Sequence, residues 1–398
     1  MGNVSTNNKS VCPVCGSSHW DVFFEMPEVP IFCNILWLDK QAAQNCSRGD
    51  IRLAFCSHCG FIGNVNFNPS RLEYTEVYEN SLDFSPRFQE YAKSIAQKLI
   101  KDYDLHDKDI IEIGCGKGNF LVSLCELGNN RGVGFDPTYI PLPEHEKFSD
   151  RIKFIQDLYS EEYADYKSDF IACRHTLEHI QYPNFLLKNL RKAIGDRLNT
   201  SVFFEVPNGL DTFRDLAIWD IIYEHCCFFT PASLTYAFSA CGFEVKKIND
   251  EFRGQFLCLE VTPKSTINDV IEPQKYKVKE LANNIAEFSE KFKQKSNTWR
   301  QELEDIVRTG KRAVVWGGGS KGVTFLNLLN IKDEIEYVVD INPRKQGMYI
   351  AGSGQKIVSP EFLQDYQPDV VIVMNSIYKH EIQSTLSGLG ITPKLFAA

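Results

Sequence analysis

The sequence predicts an α/β protein in several parts: a small cysteine-bearing N-terminal module, a doubly wound Rossmann-like core, and a second Rossmann-like α/β domain behind it. Three observations carry this reading. Two Cys-x-x-Cys pairs, "CPVC" at 12–15 and "CSHC" at 56–59, bracket a turn-rich opening. Strand-like and helix-like segments then alternate as far as "FLCLEVTP" at 256–263. A second strand, glycine loop and helix begin at "RAVVWGGGSKGVTFLNLL", 312–329. The chain has 398 residues, more than the roughly 250–300 at which a single core stops growing. The divisions expected are 1–70, 71–263, a helical linker at 264–308, and 309–398.

In the first part, Cys12, Cys15, Cys56 and Cys59 supply four soft thiolates, each pair suited to a knuckle turn. Tetrahedral Zn²⁺ takes such a set at about 2.3 Å and keeps no open position, so the metal would be structural. The 40 residues between the pairs are a long insertion, but loop closure costs grow only logarithmically with length. The competing reading is buried or redox-active cysteines; "CSHC" lacks a thioredoxin-like context. The remaining cysteines, of thirteen in all, read as reduced thiols, since "MGNVSTNNKS" is not a signal peptide. Cytoplasm is the expected compartment. Gly2 and Thr6 loosely fit a myristoylation pattern.

The core begins with a helical pattern in which Phe88, Tyr91, Ile95 and Leu99 recur at three-to-four spacing. There follow "DIIEIG" as strand, "NFLVSLCELG" as helix, "RGVGFD" and "SDFIAC" as strands, "PNFLLKNLRKAI" as helix and "SVFFEVP" as strand. Residues 270–308 are charged and helical. In the last part, "IEYVVDINP" and "DVVIVMN" read as further strands.

The chemistry gathers at loops after strands, where doubly wound sheets bind ligands. "EIGCGKG" places Glu112, Gly114, Gly116 and Gly118 between a strand and a helix. The next strand ends in Asp136 and Pro137, and "IQDLYS" supplies Asp157 after another. Asp136 lies 18 residues beyond Gly118, a distance that does not by itself choose between a dinucleotide and another cofactor. Together these positions resemble class I methyltransferases. That resemblance implies S-adenosylmethionine, with carboxylates for its ammonium and ribose hydroxyls. The second loop, with Gly317, Gly319, Gly322 and Asp340, matches a nucleotide site by motif. Rival readings are a half-Rossmann that holds substrate, with Lys321 on a phosphate, or a purely structural unit. The stretch "WDIIYEHCCFF" at 219–229 sets Tyr223, Glu224 and His225 side by side in apolar surroundings. It follows a core strand, so the three should overhang the cofactor, facing His179 of "CRHTLEHI". The bland alternative for both histidines is packing or capping; His175 is equally open.

Taken in order, the cysteine pairs, the glycine-loop core, "EVPN…YEHCCFFTPASL" and "GGGSKG…YVVDINPRKQGMYIAGSG" resemble the sugar C-methyltransferases that make branched tetronitrose- and novobiocin-type deoxysugars. The resemblance spans nearly the whole chain, although "GSGQKIVSP" lacks that family's Gly-Thr and proline-rich turn. It implies methylation at C3 of a nucleotide-linked 4-keto deoxysugar. It also implies catalytic roles for Tyr223, Glu224, His225 and His179, and for Tyr78, preferred over Tyr74, on the N-terminal helical segment. A ketone acidifies the neighbouring C–H, His225 takes the proton, Glu224 orients it, and Tyr223 or His179 donates to the enolate oxygen.

Three other readings compete: an O- or N-methyltransferase, a non-catalytic zinc-bearing scaffold, and an oxidoreductase using the second glycine loop. A net charge of −9 gives no support for nucleic acid binding, and no apolar run approaches a membrane span. The expected partner is a small molecule, and the expected state a monomer or weak homodimer.

Overall fold

The computed structural model describes residues 11–72, 78–265, 271–332 and 334–398; Gly2, Thr6 and Tyr74 lie outside them. The expected α/β organisation is present, built on three sheets. The central one has seven strands in the order Phe243–Glu251, Phe256–Pro263, Ser201–Pro207, Phe170–Arg174, Asp109–Ile113, Arg131–Phe135, Ile152–Ile155. The last five run parallel, and Phe256–Pro263 joins them antiparallel, paired in turn with Phe243–Glu251. The central strands are mostly apolar because helices cover both faces, with Glu112, Arg174 and Glu205 as buried exceptions.

The expected helices follow from local signals. Pro86–Tyr103 starts where the Ser85 hydroxyl accepts from the Phe88 amide, with Pro86 in the first turn. It buries Phe88, Tyr91, Ile95 and Leu99, the face read from the sequence. Tyr78 lies ahead of this helix, in an isolated bridge to Ile35, and not on the helical segment expected.

The N-terminal sheet pairs Trp20–Pro30, Arg48–Cys56 and Ile62–Asn64 with Cys227–Phe228, so the chain beyond His225 completes it. The C-terminal sheet is fully parallel, in the order Lys356–Val358, Tyr337–Val339, Ala313–Trp316, Val370–Val373, Lys394–Ala397. Lys275–Arg308 is one helix of 34 residues, about 51 Å long. One stripe of it is buried: Phe288 and Phe292 pack edge-on against Phe24, and Trp299 against Phe325. Each aromatic side chain taken out of water there contributes roughly 1.5–3 kcal/mol. The helix therefore joins the N-terminal and C-terminal sheets as a packed spine. Among the described residues no helix is long and apolar enough to cross a membrane.

Candidate active site

The glycine loop after Asp109–Ile113 opens onto a cavity of about 2000 Å³. Gly114 has φ +70°, and a Cβ there would lie 1.9 Å from Thr176 Oγ1, so packing demands glycine. Gly116, φ +54°, would meet nothing within 4 Å and leaves room for a ligand to approach the backbone. Asp136 fixes the loop: one oxygen accepts from the Gly116 amide at 2.8 Å, the other from the Thr138 amide and hydroxyl at 2.7 and 2.6 Å. Pro137 and Asp157 line the same cavity, where Asp157 accepts from the Leu158 amide and the Tyr163 hydroxyl. Glu112 is 2% exposed, and its Oε2 has no hydrogen-bond partner. Burial pushes its carboxyl up to about 8, although Arg174 pulls the other way. An orphaned carboxyl oxygen on a cavity wall suits a ligand carrying an amino group. Ammonium, ribose hydroxyls and close backbone approach are all provided for, so the residues fit S-adenosylmethionine.

Tyr78 and His179 line the same cavity. The Tyr78 hydroxyl hydrogen-bonds Glu224, which is fully buried, and Glu224 Oε2 also accepts from the Cys33 amide at 2.8 Å. Burial pushes the Glu224 carboxyl up to about 7 against these bonds and the more distant Lys345 ammonium. His179 and His225 meet edge-to-face, ring centroids 5.0 Å apart. His179 donates to the Glu224 backbone carbonyl and His225 to that of Asp220. Burial lowers both histidines; His225, with His175 and Lys321 near by, falls to about 3. His225 keeps part of its surface accessible but does not line the cavity. Tyr223 turns the other way. Its hydroxyl accepts from the Asn68 amide at 3.0 Å, and its ring lies on Gly49, where a Cβ would come within 2.6 Å. The structure thus gathers Tyr78, Glu224, His179 and His225, and sends Tyr223 into the N-terminal module.

Several contacts at the site carry no sequence signal, although His175 stands as an open candidate and Tyr91 reads as a buried helix position. Arg174 binds Glu205 at 2.9 Å and stacks over Phe120, while Tyr91 donates to Glu205 at 2.6 Å and His175 contacts it. Burial disfavours the Glu205 carboxylate, but Arg174 and His175 hold it below the usual range. Arg174 and His175 form part of the cavity wall. Arg344, from the C-terminal domain, reaches the cavity while paired with Glu79 at 3.0 Å. Lys321 binds Asp220 beside His225, away from the phosphate role weighed for it.

The second glycine loop differs from the first in what fills its mouth. Asp340 accepts from the Gly318 amide at 2.8 Å, as Asp136 does from Gly116. Lys345, however, lies over the loop, bonded to Asn34 at 3.0 Å, and the space left is about 10 Å³. A dinucleotide needs hundreds of Å³. Gly322 is required by packing, since a Cβ would lie 2.0 Å from the Gly317 carbonyl oxygen.

The four cysteines converge, with all four sulfurs within 4.8 Å of one another. Cys12 and Cys59 sulfurs are 3.7 Å apart, those of Cys15 and Cys56 3.5 Å. A tetrahedral ion with 2.3 Å bonds spans about 3.8 Å between ligands. The Gly16 and Gly60 amides close the two knuckles onto the Cys12 and Cys56 carbonyls. This donor set fits structural Zn²⁺.

Comparison with known proteins finds two family models and several relatives. Residues 85–248 match the family model for a methyltransferase domain, and residues 260–390 that for a C-methyltransferase C-terminal domain. The C-methyltransferase NovU of Streptomyces niveus is 22% identical over 391 residues, 93% of this chain and 90% of that one. A tRNA U34 carboxymethyltransferase of Campylobacter hominis is 29% identical over 170 residues, 41% of this chain; the match spans about half, 54%, of that relative. Among solved structures, magnesium protoporphyrin IX methyltransferase of Synechocystis PCC 6803 is 15% identical over 47% of this chain and 89% of its own, with a TM-score of 0.36.

Proposed function

We propose that this chain, an S-adenosylmethionine-dependent methyltransferase with the paired domains of the C-methyltransferases, methylates C3 of a nucleotide-linked 4-keto deoxysugar through a base-generated enolate. The observation that carries the reading is that one cavity is lined both by Gly116, Asp136 and Asp157 and by Tyr78, His179 and Arg344. At about 2000 Å³ it exceeds the roughly 300–1,000 Å³ of a one-ligand site, so a second, sizeable ligand fits beside the cofactor. Lys93 and Arg344 on its wall suit a diphosphate.

Glu112 and Asp136 would hold the cofactor, with Pro137 and Asp157 flanking it. S-adenosylmethionine supplies an electrophilic methyl group on a sulfonium sulfur, which the substrate carbanion takes. The C3 proton is assigned to His225, which is partly accessible and sits edge-on to His179 of the cavity wall, not on the wall itself. Its N–H is held by the Asp220 carbonyl, which leaves the other nitrogen as acceptor, and its lowered pKa keeps the ring neutral. His179 supports it edge-on. A C–H next to a ketone is a far weaker acid than imidazolium, so the enolate oxygen needs an aimed donor. Tyr78, on the cavity wall, supplies that hydroxyl by turning its single O–H from Glu224 to the enolate oxygen. Zn²⁺ on the four cysteines braces the sheet that the segment after His225 joins.

The test is solvent deuterium exchange into nucleotide-linked 4-keto sugars with S-adenosylhomocysteine bound. Exchange at C3 by wild type, lost in His225→Ala, is the expected result. Exchange lost in His179→Ala but kept in His225→Ala would move the base to His179. No exchange with any ketosugar would point to O- or N-methylation.

A further inference from the structure

We propose that Glu178, His179 and His225 form a second metal site, which takes one divalent transition ion such as Zn²⁺, and that an ion there stops turnover by occupying the nitrogen that accepts the substrate proton. The second half rests on the reading of His225 as base; the first does not. One ligand atom from each residue lies within 4.8 Å of the others. Ligands on an ion with bonds of about 2.1 Å are roughly 3.0–3.4 Å apart, so small side-chain shifts close the site. Glu178 is 2% exposed, and its Oε2 has no hydrogen-bond partner. Its other oxygen lies 3.9 Å from His175 Nδ1. A buried orphan carboxyl oxygen beside two imidazoles is costly without a cation and is satisfied by one. Both histidines are also oriented as metal-binding histidines are, each with a ring N–H on a backbone carbonyl. Two imidazoles and a carboxylate suit Zn²⁺, and one of the three, His179, stands on the cavity wall. The site differs from the four-cysteine cluster in donor type and in offering three protein ligands where the cysteines offer four.

The test uses full-length protein already carrying one Zn²⁺ per chain, titrated with Co²⁺ alone. The expected result is one further ion per chain, with the weak visible bands of nitrogen- and oxygen-bound cobalt and no thiolate charge-transfer band. Glu178→Gln and His225→Asn should each weaken that binding at least about tenfold. No second ion, a thiolate band, or binding indifferent to both substitutions would overturn the site. Zn²⁺ at the same stoichiometry should abolish wild-type methyl transfer, and Glu178→Gln should need at least about ten times more. A second ion that leaves turnover intact, or raises it, would overturn the inhibitory half. Failure of every ketosugar as substrate would remove the activity arm and leave the cobalt result standing.

Discussion

Glu112 should make cofactor affinity climb with pH. In the unliganded protein burial raises its carboxyl from 4.5 to about 8, so the folded chain carries a proton there at neutral pH. A cationic amino group can pair only with the ionised form. Binding below pH 8 must therefore expel that proton, and the ionised fraction sets the apparent affinity. Between pH 6 and pH 8 that fraction grows about 50-fold, and so should the association constant for S-adenosylmethionine, levelling off above. Calorimetry in buffers of different ionisation enthalpy should count close to one proton released near pH 7. Glu112→Gln removes the titrating group and should flatten this dependence, which separates it from the ligand's own ionisation. The same shift has an opposite signature without ligand. The folded state binds the proton more tightly than the unfolded state, so stability falls as pH rises from about 4.5 to 8, and Glu112→Gln should lessen that fall. Equal affinity at pH 6 and pH 8, or the same slope in Glu112→Gln, would refute the assignment of Glu112 to the cofactor cation.

Three further outcomes are expected. Stripping Zn²⁺ with a chelator should lower turnover before it lowers S-adenosylmethionine affinity, because Cys227–Phe228 pairs with Ile62–Gly63 while the Asp136 loop belongs to another sheet; activity and calorimetric binding on the same sample would show the order. Tyr223→Phe should cost about 1–2 kcal/mol of stability in denaturant titrations, by orphaning the Asn68 amide, yet keep substrate deuterium exchange within a few-fold. Lys321→Met should lower kcat with little change in KM for S-adenosylmethionine, since Lys321 holds Asp220, whose carbonyl holds His225; Lys321→Arg should restore part of the loss.

What the sequence made legible was whatever depends on near neighbours. The knuckles need Cys-x-x-Cys and a following glycine. The cofactor loop needs a strand end, glycines at 114, 116 and 118, and an acid at the end of the next strand, and Asp136 reaches Gly116 across 20 residues of regular βαβ geometry. Such units fold the same way wherever they occur, so their motifs survive translation into structure. Contacts between parts are different. Glu224 finds the Cys33 amide 191 residues away, Tyr91 finds Glu205 across 114, and Lys345 finds Asn34 across 311. No periodicity encodes these pairs, because they depend on how separately legible units pack.

The two glycine loops show why that distinction matters for function. Both follow a strand, open a helix and tie an acid to a loop amide at 2.8 Å. By motif the second is the better nucleotide site. Yet Gly116 faces open space, whereas a Cβ at Gly319 would already touch Lys345 and Asn34. A glycine motif records that backbone must come close to something; it does not say whether that something is a ligand or the protein itself. In the second domain it is the protein, and two side chains of that domain, both ion-paired, reach toward the core. Arg344 reaches the shared cavity, and Lys321 ties down the loop that carries His225. The C-terminal domain thus keeps the backbone of a nucleotide-binding unit while its helix and loops brace another domain's site. This accounts for why a chain with one methyl-transfer centre carries two Rossmann-like beginnings.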